Sequence, residues 1–177
     1  MAAVRAPVAR VCPRHHAGFP DHLGVASGER VIADFRDLLA ALTETGTRFL
    51  VVGAHALAAH GVPRVTGDLD LWIEPTEDNA ARVWAALTVF GAPLPSLGIR
   101  ASDFTQPDQV IQLGLPPYRI DLMTGISGIH FGDAWQGRLA GTLFEVPVGF
   151  LGRDAFIANK RASGRPKDLE DLRALGA

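Results

Sequence analysis

The run Thr66-Gly67-Asp68-Leu69-Asp70-Leu71-Trp72-Ile73 constrains the chain more than any other stretch. In an extended strand, successive side chains alternate between faces. Asp68 and Asp70 then share one side, and Leu69, Leu71 and Ile73 share the other. The apolar side asks for a core. The acidic side sets two carboxylates roughly 7 Å apart, where they repel each other and gain nothing from packing. A divalent cation between them removes that conflict, because hard cations such as Mg²⁺ take oxygen ligands and cancel the repulsion. A core strand carrying this pair points to a metal-bound phosphate.

A third acid stands in a comparable setting. Val110-Ile111-Gln112-Leu113 and Tyr118-Arg119-Ile120-Asp121-Leu122-Met123 read as two strands joined across Pro116-Pro117. Asp121 lies between Ile120 and Leu122, and aspartate in mid-strand is disfavoured. If this strand neighbours the first, Asp68, Asp70 and Asp121 converge, and three carboxylates can hold two Mg²⁺ ions. The alternative left open by the residues is that Asp121 forms an ion pair with Arg119 or Arg64.

Around these strands the pattern alternates. Residues 28–45 carry Val31, Ile32, Phe35, Leu38, Leu39 and Leu42 at helical spacing and stop at Gly46. Phe49-Leu50-Val51-Val52 is a short buried strand, and residues 54–61 a short helix broken by Pro63. Residues 78–90 form a helix with Ala81, Val83, Trp84, Leu87 and Phe90 as its stripe. Residues 92–108 read as loop. Residues 142–148 read as a strand or hairpin, with Pro147 suggesting an edge. A helix over residues 154–163 ends at Gly164, and Pro166 opens a last helix with Leu169, Leu172 and Leu175 on one side. The fold class is α/β (α+β): a small mixed sheet flanked by helices, with a C-terminal helical pair.

Composition excludes several classes. The 177 residues are 47% apolar and 20% charged, as in a globular domain, and the net charge of −2 gives no global basic field. One cysteine, Cys12, cannot form an internal disulfide, and no apolar run approaches the roughly 20 residues that span a bilayer. The expected location is the cytoplasm, with no membrane partner. The first 20 residues hold Arg5, Arg10 and Arg14, three prolines and no acid. Missing serine argues against a transit peptide, so residues 1–26 are expected to be a flexible extension and residues 27–177 a single domain.

Two further stretches carry chemistry. Gly53-Ala54 sits where a strand turns into a helix, whose N-terminus offers N–H groups to a phosphate. Such a turn also commonly needs glycine for geometry alone. Arg64 and Thr66 share the aspartate face if that strand begins early. Residues 159–172 place Lys160, Arg161, Arg165 and Lys167 before Asp168, Glu170 and Asp171. They form either a solvated helical surface with a Lys167–Asp171 pair, or a cleft in which Lys160 reaches phosphates beside Lys167, Asp168 or Asp171. His55, His60 and His130 lack zinc-like grouping and read as structural.

Taken in order, Phe49 through Leu57, Arg64 through Asp70, and Arg119-Ile120-Asp121-Leu122 resemble the nucleotidyltransferase superfamily that includes DNA polymerase beta. The stretch from Asn159 to Leu172 is similar to a lysine-and-acid motif of its small bacterial branch, the minimal nucleotidyltransferases and AbiEii-type toxins. The resemblance covers roughly residues 30–175. It implies a nucleotidyltransferase fold and an NTP-using, Mg²⁺-dependent enzyme with a two-ion site, Mn²⁺ being a substitute. Asp68, Asp70 and Asp121 then hold metal, with Asp121 helping to activate the acceptor hydroxyl. Gly53 and Ala54 cradle the terminal phosphates, Lys160 steadies the triphosphate, and Asp168 or Asp171 fixes Lys160 or the acceptor. The implied acceptor is a tRNA 3′ end or a protein, with an antitoxin as partner in the latter case. Ala54 departs from the family's Ser or Gly and loses a hydroxyl donor. That departure keeps a second reading open: a catalytically silent nucleotide- or partner-binding protein of the same fold.

Overall fold

The computed structural model describes residues 9–11, 28–115 and 117–177. Cys12 and most of the segment expected to be a flexible extension lie outside the described residues; within that segment, Ala9–Val11 forms a strand, β1. The chain continues as α1 (Gly28–Glu44), β2 (Phe49–Val51), α2 (Gly53–Ala59), β3 (Asp68–Ile73) and α3 (Glu77–Phe90). It then forms β4 (Val110–Leu115), β5 (Tyr118–Met123), α4 (Phe131–Gln136), β6 (Leu139–Leu143), β7 (Val146–Phe150), α5 (Arg153–Ser163) and α6 (Pro166–Leu175). The described strands make one mixed sheet in the order β1-β4-β5-β3-β2-β7-β6. β3 is parallel to β5 on one side and antiparallel to β2 on the other.

β3 alternates as its sequence requires. Leu69, Leu71 and Ile73 are fully buried, while Asp68 and Asp70 lie half-buried on the opposite face. Trp72 continues that second face and is covered by Phe131 of α4, ring centroids 5.0 Å apart and edge-on. The same side of the strand is therefore sealed by aromatics at one end and left acidic at the other.

Helix ends follow local chemistry. Thr76 caps α3 by accepting the Asn79 N–H, and glycines in left-handed conformation close α3 at Gly91 and α5 at Gly164. Pro166 stands in the first turn of α6.

Several expectations shift. In the expected stripe of α3, Val83 and Leu87 are buried and Trp84 and Phe90 half-buried, but Ala81 is exposed, and Ala80 and Ala86 are buried beside them. Ile32 of α1 is half exposed. Residues 92–108 contain two 3₁₀ turns, Pro95–Leu97 and Ala101–Thr105, and Leu94, Ile99 and Phe104 enter the core. On this side of the sheet the edge is β6, not the strand carrying Pro147. Leu143 and Val146 close a two-residue turn, so the next pair, Thr142 and Pro147, is the kind without mutual hydrogen bonds. The Pro147 nitrogen thus points away from β6, and β7 registers with β2 only later, at Val51 and Phe150. Leu169 of α6 is exposed, because that helix buries Asp168, Asp171 and Leu172.

One buried polar residue ties the sheet to α3. The Asn79 side chain accepts the Arg48 N–H at 2.7 Å and donates to the carbonyls of Arg48 and Glu74 at 2.9 and 3.0 Å. It joins the entry to β2 to the exit from β3; truncation strands the Arg48 N–H, while the two carbonyls keep the N–H groups of Glu74 and Thr76. Asn79→Ala should cost about 1–3 kcal/mol in urea unfolding, the penalty of one stranded buried donor; a loss under about 0.5 kcal/mol would show that water replaces the amide at the Arg48 N–H.

Candidate active site

Asp70 on β3 and Asp121 on β5 are register partners across the parallel pair, as are Asp68 and Arg119. Neighbouring strands lie about 4.8 Å apart, so the three acids share one patch of the sheet. Arg119 spans them. Its Nε donates to Asp121 Oδ1 at 2.7 Å, and its Nη2 donates to Asp121 Oδ2 and to Asp68 Oδ2, both at 3.1 Å. The hydrogen bond to Asp121 holds the guanidinium even more firmly in its charged form. Gln112 on β4, the register partner of Asp121, adds Nε2 contacts of 3.2 and 3.3 Å. The ion pair weighed as the alternative for Asp121 is therefore present within the acid cluster itself. Among the described residues, no group of three His, Cys, Asp or Glu side chains is gathered as a ready metal cage.

Asp70 is the acid without a partner: among the described residues its carboxylate makes no hydrogen bond or ion pair. It lies against Gly53, where an added Cβ would overlap the carboxylate, and Gly53 has a positive φ of 61°. Two constraints thus demand glycine at this corner, and one of them is Asp70. Burial pushes the Asp70 carboxyl up to about 6, helped by the charges of Asp121 and Asp68 and opposed by Lys160 and Arg119. Val52 provides no side-chain cap to α2, and the Ala54 methyl is buried.

The C-terminal pair brings a second set of charges. Lys160 on α5 is 6% exposed, and Asp168 and Asp171 on α6 are 1% and 3% exposed. The Lys160 Nζ lies 2.6 Å from Asp168 Oδ1 and 3.0 Å from Asp171 Oδ2. Arg165 forks onto Asp168 at 2.6 and 3.2 Å, and Arg64 Nε reaches Asp171 at 3.4 Å. Burial alone would raise the Asp168 carboxyl; hydrogen bonds from Arg165, Lys160 and Ser163 outweigh it and hold the group well below the usual carboxylate range. Five carboxylates in the two clusters face the four cations Arg64, Arg119, Lys160 and Arg165, and Asp70 is the one left over.

The sequence-derived residues separate accordingly. Asp68, Asp70, Asp121 and Gly53 come together, and both Asp168 and Asp171 fix Lys160, whose charge reaches Asp70. Arg64 does not share the aspartate face: β3 starts only at Asp68, and Arg64 turns to Asp171 instead. The Thr66 hydroxyl accepts the Asp68 N–H at 3.1 Å and donates to the Asp68 carbonyl at 3.3 Å, so it caps the strand entry. Lys167 is exposed, and the Lys167–Asp171 pair does not form, because Asp171 faces inward to Lys160.

Arg119 as a bridge, Gln112 and Arg165 were not legible as site residues; only the register and the Gly164 turn bring them in. His55 packs edge-on against Phe144, its buried Nε2 has no hydrogen-bond partner among the described residues, and desolvation lowers its pKa against a backbone contact with Asp68. His60 is structural, 2.8 Å from the Leu151 carbonyl. In comparisons with known proteins, no family model matches the chain and no curated protein is significantly similar to it.

Two expectations follow for stability. Asp70 takes up its proton in the fold well above its ordinary value of 3.8. Between about pH 4 and 6 the folded state thus holds more protons than the unfolded one, and stability falls as pH rises through that window. Asp70→Asn should therefore melt higher than the wild type at pH 7.5 and equal to it near pH 3.5; equal melting at both values would refute the crowding. Asp168 has the opposite sign: its contribution is present above the ordinary carboxylate range and lost on acidification. Asp168→Ala removes one of two partners from a buried lysine and should cost about 3 kcal/mol at pH 7 in urea unfolding, whereas a cost below 1 kcal/mol would mean Asp171 alone suffices.

Proposed function

We propose that the chain is a metal-dependent nucleotidyltransferase that moves the nucleoside monophosphate of an NTP onto a hydroxyl and releases pyrophosphate. The observation that carries this reading is the register of Asp70 with Asp121, which gathers three acids beside the Gly53 corner. The donor set suits Mg²⁺ or Mn²⁺: the groups are hard carboxylate oxygens, and among the described residues Asp70 has no hydrogen-bond or ion-pair partner to give up. Asp68, Asp70 and Asp121 are the residues that would hold metal. Bound there, it would neutralise the acids, activate an attacking hydroxyl and stabilise the departing pyrophosphate.

The chain's own groups supply the rest. Lys160, held by two carboxylates, has a third N–H to offer, and its charge, which is felt at Asp70, would help draw a triphosphate to the acid patch. The Gly53 and Ala54 N–H groups add donors for its terminal phosphates. Asp121 helps take the acceptor's proton. The acceptor is RNA, with the tRNA 3′ end as the candidate, or a protein; in the latter case the chain would be the toxin of a toxin–antitoxin pair.

Incubating the protein with each labelled NTP, Mg²⁺ and separated RNA and protein fractions tests the reading. Label should pass to one fraction, and Asp70→Asn and Asp121→Asn should each lower the rate at least about 10²-fold. Equal labelling by wild type and variants would end the proposal. NTP binding by calorimetry with no Mg²⁺ dependence and no turnover would favour the silent alternative.

A further inference from the structure

Arg119 is more than a neighbour of the acid cluster. It makes three hydrogen bonds of 2.7 to 3.1 Å, two of them a fork onto Asp121 and the third to Asp68. A fork of this kind is the strongest geometry a guanidinium has for a carboxylate. It occupies oxygens on two of the three acids that the proposed function assigns to metal. A cation entering between Asp68 and Asp121 has to displace it. Arg119 also borders solvent, its side chain 27% exposed against 7% for Lys160, which leaves room on that side for a ligand to reach it. Gln112 donates to both oxygens of Asp121 as well, a hold on that acid separate from Arg119.

We propose that Arg119 is an exchange residue: it blocks the acids against metal alone and is drawn off them by the triphosphate, so that metal and nucleotide enter together. This inference rests on the nucleotidyltransferase reading. A phosphate offers the guanidinium the same forked acceptor geometry as a carboxylate, so the bonds lost to Asp68 and Asp121 are regained on the ligand. Because coupling between two ligands is reciprocal, a triphosphate that removes Arg119 tightens metal binding, and metal tightens triphosphate binding.

The test is Mn²⁺ binding by calorimetry and electron paramagnetic resonance, with and without inorganic tripolyphosphate, and with Asp68→Asn/Asp70→Asn as background. Arg119→Gln should bind Mn²⁺ alone about tenfold or more tighter than the wild type, and tripolyphosphate should improve its Mn²⁺ affinity by a smaller factor than it does for the wild type. Arg119→Lys, which keeps the charge but loses the fork, should fall between them and guards against misfolding of the glutamine variant. Equal or weaker Mn²⁺ binding by both variants, with the wild type binding, overturns the exchange role and leaves the proposed function standing. If no form binds Mn²⁺ above background even with tripolyphosphate, the metal reading falls and the exchange role with it.

Discussion

Carboxylates crowded onto one side of a central strand pair have no reason to stay ionised and close, and much of the surrounding chain answers that repulsion. Parallel pairing of β3 with β5 fixes Asp70 opposite Asp121, and the two-residue period keeps Asp68 on the same face. The opposite face of β3 is dry core, so neither strand can slip by one residue without burying acids and exposing leucines. The fold thus holds the acids where their own electrostatics would disperse them. Arg119, Gln112 and the charge of Lys160 offset part of the repulsion, and Asp70, pressed against Gly53, bears what remains.

The second charge layer has a different character. Lys160, Asp168 and Asp171 are among the most buried polar groups of the described residues, and they join α5 to α6 across the Gly164 turn. Breaking a buried pair is costly because it strands a charge, although the intact pair need not add net stability over apolar packing. Its retention here makes sense as positioning: two carboxylates hold an ammonium rigidly near the acid patch. Arg64 extends the network to the segment that leads into β3, so the strand entry and the C-terminal hairpin are held together.

What could be read in the sequence was what local rules decide. Alternation in Leu69-Asp70-Leu71 gave the acid face, Gly91 and Gly164 gave helix ends, and Pro166 gave the start of the last helix. What could not be read depends on distant partners. Leu169 looked like core because Asp168 and Asp171 looked like surface; their burial depends on Lys160 from another helix. Arg64 and Thr66 seemed to face the aspartates because the start of β3 is set by a threonine turn that periodicity does not reveal. Residues 92–108 carried loop composition, yet Phe104 is fully buried. Arg119 was visible only as a possible neutraliser of Asp121, since its bridge to Asp68 exists only once the strands are side by side.

Crystals grown with Mn²⁺ and tripolyphosphate, and measured for anomalous scattering, test the central claim most directly. The account predicts an anomalous peak about 2.1 Å from carboxylate oxygens of Asp68, Asp70 and Asp121, with Arg119 turned away from them. A peak bound elsewhere, or none, with Arg119 still spanning Asp68 and Asp121, would contradict it.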